Sequence, residues 1–245
     1  MPRYFIEVAY RGTQFSGFQI QENANTIQAE IEKAFRVIHR RAVALTGSSR
    51  TDAGVHALQN YFHFDDEGVH EKFIYKMNAV LPPAVVVRSL HEVSPEAHCR
   101  FDAKSRSYEY HIYRSKDPFL QGLAFYYPYQ LNRELLHQGA AIIQEATDFF
   151  AFAKTNTQAR NFRCEIMKSE WQEAGEGLVY HISANRFLRG MVRLLTGSML
   201  QLGRGKVSLE KFRTLFSSEQ EKAGFSVPAE GLYLASVRYP ENYFL

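Results

Sequence analysis

At 245 residues, 45 % of them hydrophobic and 14 % aromatic, the chain has enough apolar material for a sizeable core in one large domain or two intimately packed ones. Basic residues number 29 and acidic ones 26, so the net charge of +3 and a pI near 8.8 fall short of the strongly basic class, and bulk charge alone announces no nucleic-acid partner. Two cysteines, Cys99 and Cys164, exclude a disulfide framework, and without a signal-peptide pattern, long apolar run or low-complexity stretch the chain is expected to be cytoplasmic and unattached to membranes.

The first predicted element is a strand, because Tyr4, Ile6, Val8 and Tyr10 recur at every second position, the period of a half-buried strand. A helix follows, with Asn25 as its cap, Gln28 as the return partner of a capping box, and Ile27, Ile31, Ala34, Phe35 and Ile38 on one face. Next comes Gly47-Ser48-Ser49-Arg50-Thr51-Asp52-Ala53-Gly54-Val55-His56, which sets one carboxylate between an arginine and a glycine turn. Ala53 and Gly54 let the backbone turn sharply, and Arg50 places a fixed positive charge two residues from Asp52 that favours the ionised acid. Asp52 is therefore the candidate nucleophile. Taken alone, an Asp-x-Gly string equally describes a solvated turn, and Arg50 a loop salt-bridge partner.

Residues 59–64 read as a strand leaving that loop, 71–79 as a short helix, and Val85-Val86-Val87 with its neighbours as a buried strand ended near Pro95. The acidic turn Asp65-Asp66-Glu67 is expected to be solvated rather than to hold magnesium. His56, His63, His91 and His98 are scattered, with no zinc-like spacing among them or the cysteines, so no metal site is expected. His56 is read as an anchor for the loop.

Residues 107–113 alternate as a strand, on which Tyr108, Tyr110 and Ile112 share one face. Asn132 caps a helix with Leu135, Leu136, Gly139, Ala140 and Ile143 as its stripe. Residues 166–174 and 178–184 form a hairpin across Gly175-Glu176-Gly177. The next helix carries Phe187, Met191, Leu194, Leu195, Ser198 and Leu202 on one stripe and ends near Gly203. On it, Arg186, Arg189 and Arg193 at spacings of three and four share the opposite face, either a basic strip for RNA or an ordinary solvated surface. Ser208 begins a last helix, and residues 232–239 a closing strand. The pattern is α+β, with helices packed on antiparallel or mixed sheets, and the division falls near Lys104 into halves 1–103 and 104–245.

The run Arg50 to His56 resembles the signature of the TruA family of tRNA pseudouridine synthases. The resemblance extends through Tyr10-Arg11-Gly12-Thr13-Gln14-Phe15-Ser16-Gly17-Phe18-Gln19, His98-Cys99-Arg100-Phe101-Asp102-Ala103, Ser107-Tyr108-Glu109-Tyr110, Asn185-Arg186-Phe187-Leu188-Arg189-Gly190-Met191-Val192-Arg193 and Glu230-Gly231-Leu232-Tyr233-Leu234. It implies the pseudouridine synthase fold, two sheet halves with flanking helices around a central cleft. It implies Asp52 as catalytic residue, Arg50 entering the space vacated by a flipped nucleotide, and Tyr108 against the flipped base. Arg193 would hold Asp52 ionised, while Arg186 and Arg189 are weaker candidates for phosphate contacts. The implied substrate is tRNA, modified at positions 38, 39 and 40 of the anticodon stem and loop, by a homodimer that needs no cofactor. The chain departs from the family pattern at Ser49, where glycine is usual, at Arg11, where an acidic or amide side chain is usual, and over residues 154–164, including Cys164. A noncatalytic RNA-binding protein on the same scaffold and a synthase acting on another RNA are the rival readings; Asp52, Tyr108 and Arg193 together favour the enzyme.

Overall fold

The computed structural model describes residues 1–154, 161–217 and 221–244. The chain is α+β and folds as two compact units, one comprising Met1–Lys104 with Tyr233–Leu245, the other Ser105–Leu232. The linear division at Lys104 leaves the last segment with the second half, whereas the structure joins it to the first unit. Among the described residues, no helix is long and apolar enough to cross a membrane.

In the first unit, β1 (Arg3–Tyr10) lies between β3 (His56–Asp65) and β4 (Val85–Val93), antiparallel to both. The two-residue β2 (Thr46–Gly47) pairs with β3, and β9 (Leu232–Arg238) runs parallel to it with His56 opposite Tyr233. The helices α1 (Ile27–His39) and α2 (Phe73–Val80) contribute Phe35 and Phe73, which pack with Phe64 of β3 at ring separations of 4.8 to 6.2 Å. The opposite side of β1 is covered too. Phe5, fully buried, meets Tyr239, Tyr243 and Phe244 at 5.6 to 6.1 Å. The expected half-buried strand is thus buried on both sides, because the chain end folds back over a face that local alternation leaves open.

The cap of α1 also differs from expectation. Thr26, not Asn25, takes the N-cap, its hydroxyl accepting from the Ala29 N–H at 3.3 Å, while Gln28 donates instead to Glu32 and to the Leu45 carbonyl. The acidic turn is solvated at two of its three positions: Asp65, which accepts two hydrogen bonds from Arg3 at 2.7 and 2.8 Å, and Glu67 are exposed, whereas Asp66 is buried and pairs with Arg41 at 2.7 Å.

In the second unit, β8 (Gly177–Ala184) pairs antiparallel with β5 (Ser105–Tyr113) and with β7 (Ile166–Ala174), and the short β6 (Phe125–Tyr126) runs parallel to β5. Asn132 caps α3 (Arg133–Glu145), accepting from the Leu135 N–H at 3.1 Å, and Ser208 caps α5 (Leu209–Thr214) in the same way. The apolar helix α4 (Met191–Gly203) buries Met191, Leu195, Met199 and Leu202, and the indole N–H of the buried Trp171 points at the Met199 sulfur, 3.3 Å away. Preceding α4, Gly190 holds a left-handed conformation with φ +74°, so the helix begins at Met191.

Within the first unit's core, His63 of β3 stacks on Phe5 at 5.8 Å and lies against His98 and the buried Cys99. Burial is the largest cause that lowers its pKa, from 6.5 to about 4; His98 and Arg3 push the same way, Asp65 and Asp102 oppose. The unfolded chain therefore binds the extra proton first. His63 leaves stability intact above about pH 6.5 and removes it progressively as pH falls toward about 4. Between pH 7 and 5, urea unfolding of the wild type should lose about 2 kcal/mol more than that of His63→Gln. Equal pH slopes in the two proteins would contradict this account.

Candidate active site

The proposed nucleophile sits in a turn clamped from both sides. The Val55 N–H donates to the Asp52 carbonyl at 3.1 Å, closing residues 52–55 into a turn in which Gly54 has φ +81°. Thr51 and Val55 are buried, Asp52 is half-buried and Arg50 is exposed, so the turn seats its flanks and leaves Asp52 accessible.

What seats those flanks is the end of β1 and the segment that follows it, together with Asn60 of β3. The Tyr10 hydroxyl is 2.8 Å from the Thr51 hydroxyl and accepts from the Asn60 amide at 3.2 Å, and the same amide donates to the Ser49 carbonyl at 2.8 Å. The Phe18 N–H donates to the Thr51 carbonyl at 3.1 Å. The Gly12 N–H donates to Nδ1 of His56 at 3.2 Å, which places the ring proton of a neutral His56 on Nε2. His56 is buried and stacked on Tyr233 of β9 at 4.5 Å, so its work is to anchor the loop. Gly12 approaches so closely that a Cβ there would stand 1.9 Å from the Val55 carbonyl oxygen. Ser49 is buried, so its side chain adds nothing to the outer surface of the turn, while Arg11 is exposed and bonded through its backbone N–H to Ala84.

The remaining sequence-predicted residues lie in the second unit. Tyr108 of β5 stands opposite Ile182 and meets the Phe187 ring edge-on at 5.1 Å, partly exposed. Tyr110, two positions on, is fully buried; its hydroxyl donates to the Pro228 carbonyl at 2.8 Å, and burial drives its pKa far up. Of these two tyrosines, Tyr110 is a core residue and Tyr108 a partly exposed one.

Arg193 lies in the first turn of α4. Its Nε donates to the Val227 carbonyl at 2.7 Å, and its own carbonyl accepts from the Val227 N–H at 3.3 Å, which fixes the stem of the side chain. Arg186 and Arg189 are exposed, but neither is helical: both precede the break at Gly190, in a segment tied down where Asn185 exchanges hydrogen bonds with Glu165 at 3.1 Å. The shared helical face expected for the three arginines therefore does not exist. Of the divergent stretch 154–164, residues 155–160 lie outside the described residues; Cys164 is buried, and burial pushes its thiol up to about 11.

The scattered histidines and cysteines do converge once. His63, His98 and Cys99 bring ligand-type atoms within 4.8 Å of one another. Nδ1 of His63 accepts from the Cys99 N–H at 3.3 Å and stands 3.2 Å from its sulfur, Nδ1 of His98 accepts from the Arg100 and Phe101 N–H groups, and the thiol donates to the Thr46 carbonyl. Each group already serves a hydrogen bond that metal ligation would break, so the cluster reads as a structural knot.

Sequence reasoning singled out the Asp52 loop but gave residues 10–19 no role beyond resemblance. Tyr10, Gly12 and Phe18 are the loop's supports. The signal available was the pair of glycines in that motif, each a site where backbone can approach backbone.

This α+β fold with a clamped, accessible carboxylate belongs to a recognisable class. A family model described as tRNA pseudouridine synthase matches residues 6–102 and 146–240. The protein called tRNA pseudouridine synthase A in Parabacteroides distasonis is 40 % identical over 248 residues, covering 100 % of this chain and 98 % of that one. Its namesake in Porphyromonas gingivalis is 38 % identical over 252 residues, covering 100 % of both, and one in Staphylococcus aureus is 35 % identical over 248 residues, covering 99 % and 93 %. The chain belongs to the TruA family of tRNA pseudouridine synthases.

The clamp makes a prediction that needs no substrate. Gly12→Ala drives a methyl group into the Val55 backbone and should lower unfolding free energy by about 2 kcal/mol or more, whereas Gly68→Ala, with nothing within 4 Å, should change it by less than about 0.5 kcal/mol. Urea denaturation of the two variants beside the wild type is the check, and a Gly12→Ala protein as stable as the wild type would show that the loop is not held as described.

Proposed function

We propose that the protein isomerises uridine to pseudouridine in tRNA, in the anticodon stem and loop at positions 38, 39 and 40. The reaction breaks the bond from the ribose carbon to the base nitrogen, turns the base, and joins the same ribose carbon to a base carbon. The proton on that carbon leaves and the freed nitrogen gains one, so no electrons are exchanged and no redox cofactor is called for.

The observation that carries the reading is the Asp52 turn, in which both flanks are buried and hydrogen-bonded while the carboxylate-bearing residue stays accessible. A carboxylate adds to an electrophilic centre of the nucleotide and later departs, which makes Asp52 the nucleophile of this proposal. The target base must first leave the stack, since a paired base hides its reacting atoms. Arg50, exposed at the edge of the same loop, suits the vacated space or the neighbouring phosphates. Tyr108 offers the flipped base a ring face and a polar tip, and its partial exposure supports that role where the buried Tyr110 has none. Arg193, its stem pinned to Val227, supplies fixed positive charge to the substrate, and the exposed Arg186 and Arg189 supply weaker phosphate contacts from a loop. In this reading the first unit carries the nucleophile and Arg50, and the second carries Tyr108, Arg186, Arg189 and Arg193. The enzyme works in the cytoplasm as a homodimer, with tRNA as its partner.

Asp52→Asn separates binding from chemistry. It keeps side-chain size and removes the negative charge, while affinity rests mainly on arginines, backbone amides and stacking. Measured on one folded preparation under single-turnover conditions, the variant should bind tRNA within about threefold of wild type and lose at least about 10³-fold in pseudouridine formation. Substantial residual turnover, with deamidation back to Asp excluded, would refute the assigned nucleophile. A wild-type protein that binds tRNA and modifies none would point instead to a noncatalytic RNA-binding role.

A further inference from the structure

Residues 12–19, which follow β1, supply supports for the Asp52 turn and also a set of side chains given no role above. Burial divides the two groups: Gly12, Phe15, Gly17 and Phe18 are buried, while Thr13, Gln14, Ser16 and Gln19 are exposed. The buried members fix the segment against the turn. Gly12 meets Val55, and a Cβ on Gly17 would stand 3.3 Å from the Thr51 carbonyl oxygen and 3.6 Å from the Asp52 carbonyl carbon. The segment is pinned equally to the start of α1, where the Ile27 N–H donates to the Gly17 carbonyl at 3.1 Å and the Gln28 N–H to the Phe18 carbonyl at 3.0 Å, while the Ser16 N–H donates to the Asn25 carbonyl at 2.7 Å. Two exposed glutamines thus ride on fixed backbone beside Asp52. Gln14 sits in the short turn closed by the Phe15 N–H on the Gly12 carbonyl at 2.9 Å, and Gln19 directly follows Phe18, whose N–H holds the Thr51 carbonyl.

The chemistry of this border selects what it touches. From Gly12 to Asn25 the one charged side chain is Glu22, so the segment offers phosphates no cation; the exposed Arg11 and Arg50 stand outside it in sequence. A carboxamide carries a donor and an acceptor together, the combination that base edges present and that phosphates, acceptors only, do not. An RNA whose target uridine is flipped to Asp52 brings the nucleotides on either side of it to the same border. We propose that Gln14 and Gln19 hydrogen-bond to the base edges of the nucleotides flanking the target uridine, and so select which uridines are modified. The inference rests on the reading of Asp52 as the nucleophile, and adds to that site the groups that choose its substrate.

The test uses the full chain and a pool of tRNA transcripts with one target uridine at position 39, the nucleotides on either side varied and the opposite strand of the stem changed to match. Competition within the pool gives relative rates of pseudouridine formation, which do not depend on the fraction of protein that is folded. In the wild type these rates should spread about tenfold with flanking sequence, and with Gln14→Ala and Gln19→Ala combined the spread should shrink to within about threefold. The slope of affinity against salt should be the same in both proteins, because no phosphate contact is lost. A spread in the double variant equal to that of the wild type, or a wild type without preference, overturns the assignment. Rates that fall evenly across the pool overturn it too, in favour of a phosphate contact where the salt slope becomes shallower and of a purely structural role where it does not. Each of these results leaves the functional reading standing. A wild type that binds the pool and modifies none of it overturns both readings.

Discussion

Of the glycines in the first unit, Gly12 leaves the least room for a side chain, and it is there that the loop bearing the proposed nucleophile is seated. Gly12, just past the end of β1, presses its α-carbon against the Val55 carbonyl, just before the start of β3, and donates its N–H to the His56 ring. No side chain fits between the two segments. Tyr10 and Phe18 add hydrogen bonds to Thr51 from the same stretch of chain, so the residues before and after Asp52 are fixed by a segment about 40 positions away in sequence. Because β1 and β3 are neighbours in the sheet, the ladder that builds the core also sets the carboxylate's position. Rigidity of this kind is what a covalent catalyst needs, since small displacements of a reacting group are costly.

Much of the secondary structure was legible because local periodicity was enough to specify it. The alternation in β1 and β5, the stripe and Asn132 cap of α3, the hairpin of β7 and β8 and the apolar face of α4 all follow from residues within one element. The failures share a cause: they are decided by contacts distant in sequence or by one backbone angle. The φ of +74° at Gly190 starts α4 four residues later than Phe187, an apolar side chain that fell by chance on the helical stripe, and so takes Arg186 and Arg189 off the helix. The cover over Phe5 comes from Tyr239, Tyr243 and Phe244, at the other end of the chain. The His63, His98 and Cys99 knot joins a strand to a distant loop, which no spacing rule detects.

For the site, sequence singled out the loop and its carboxylate but not the device that holds them. Asp52, Arg50 and His56 stood out by their spacing and by family resemblance, and the structure gives His56 the anchoring part expected of it. The N-terminal glycine motif carried the missing half of the explanation, and its meaning emerged only when Gly12 was seen against Val55. Tyr108 and Tyr110 illustrate the converse. Two tyrosines of one strand face are indistinguishable by pattern, and their different burial follows from the Pro228 carbonyl and Gly231, which close over Tyr110.

Family membership, the clamped carboxylate and the partly exposed tyrosine support a single account, in which positioned carboxylate chemistry on an unstacked uridine does the work. Its most direct test is nucleotide-resolution mapping of pseudouridine in an unmodified tRNA transcript with uridines at 38, 39 and 40, incubated with the purified protein alone. The account predicts pseudouridine at those positions and no other, with no added cofactor. Pseudouridine confined to a different part of the tRNA, or none in a folded protein that binds the transcript, would contradict it.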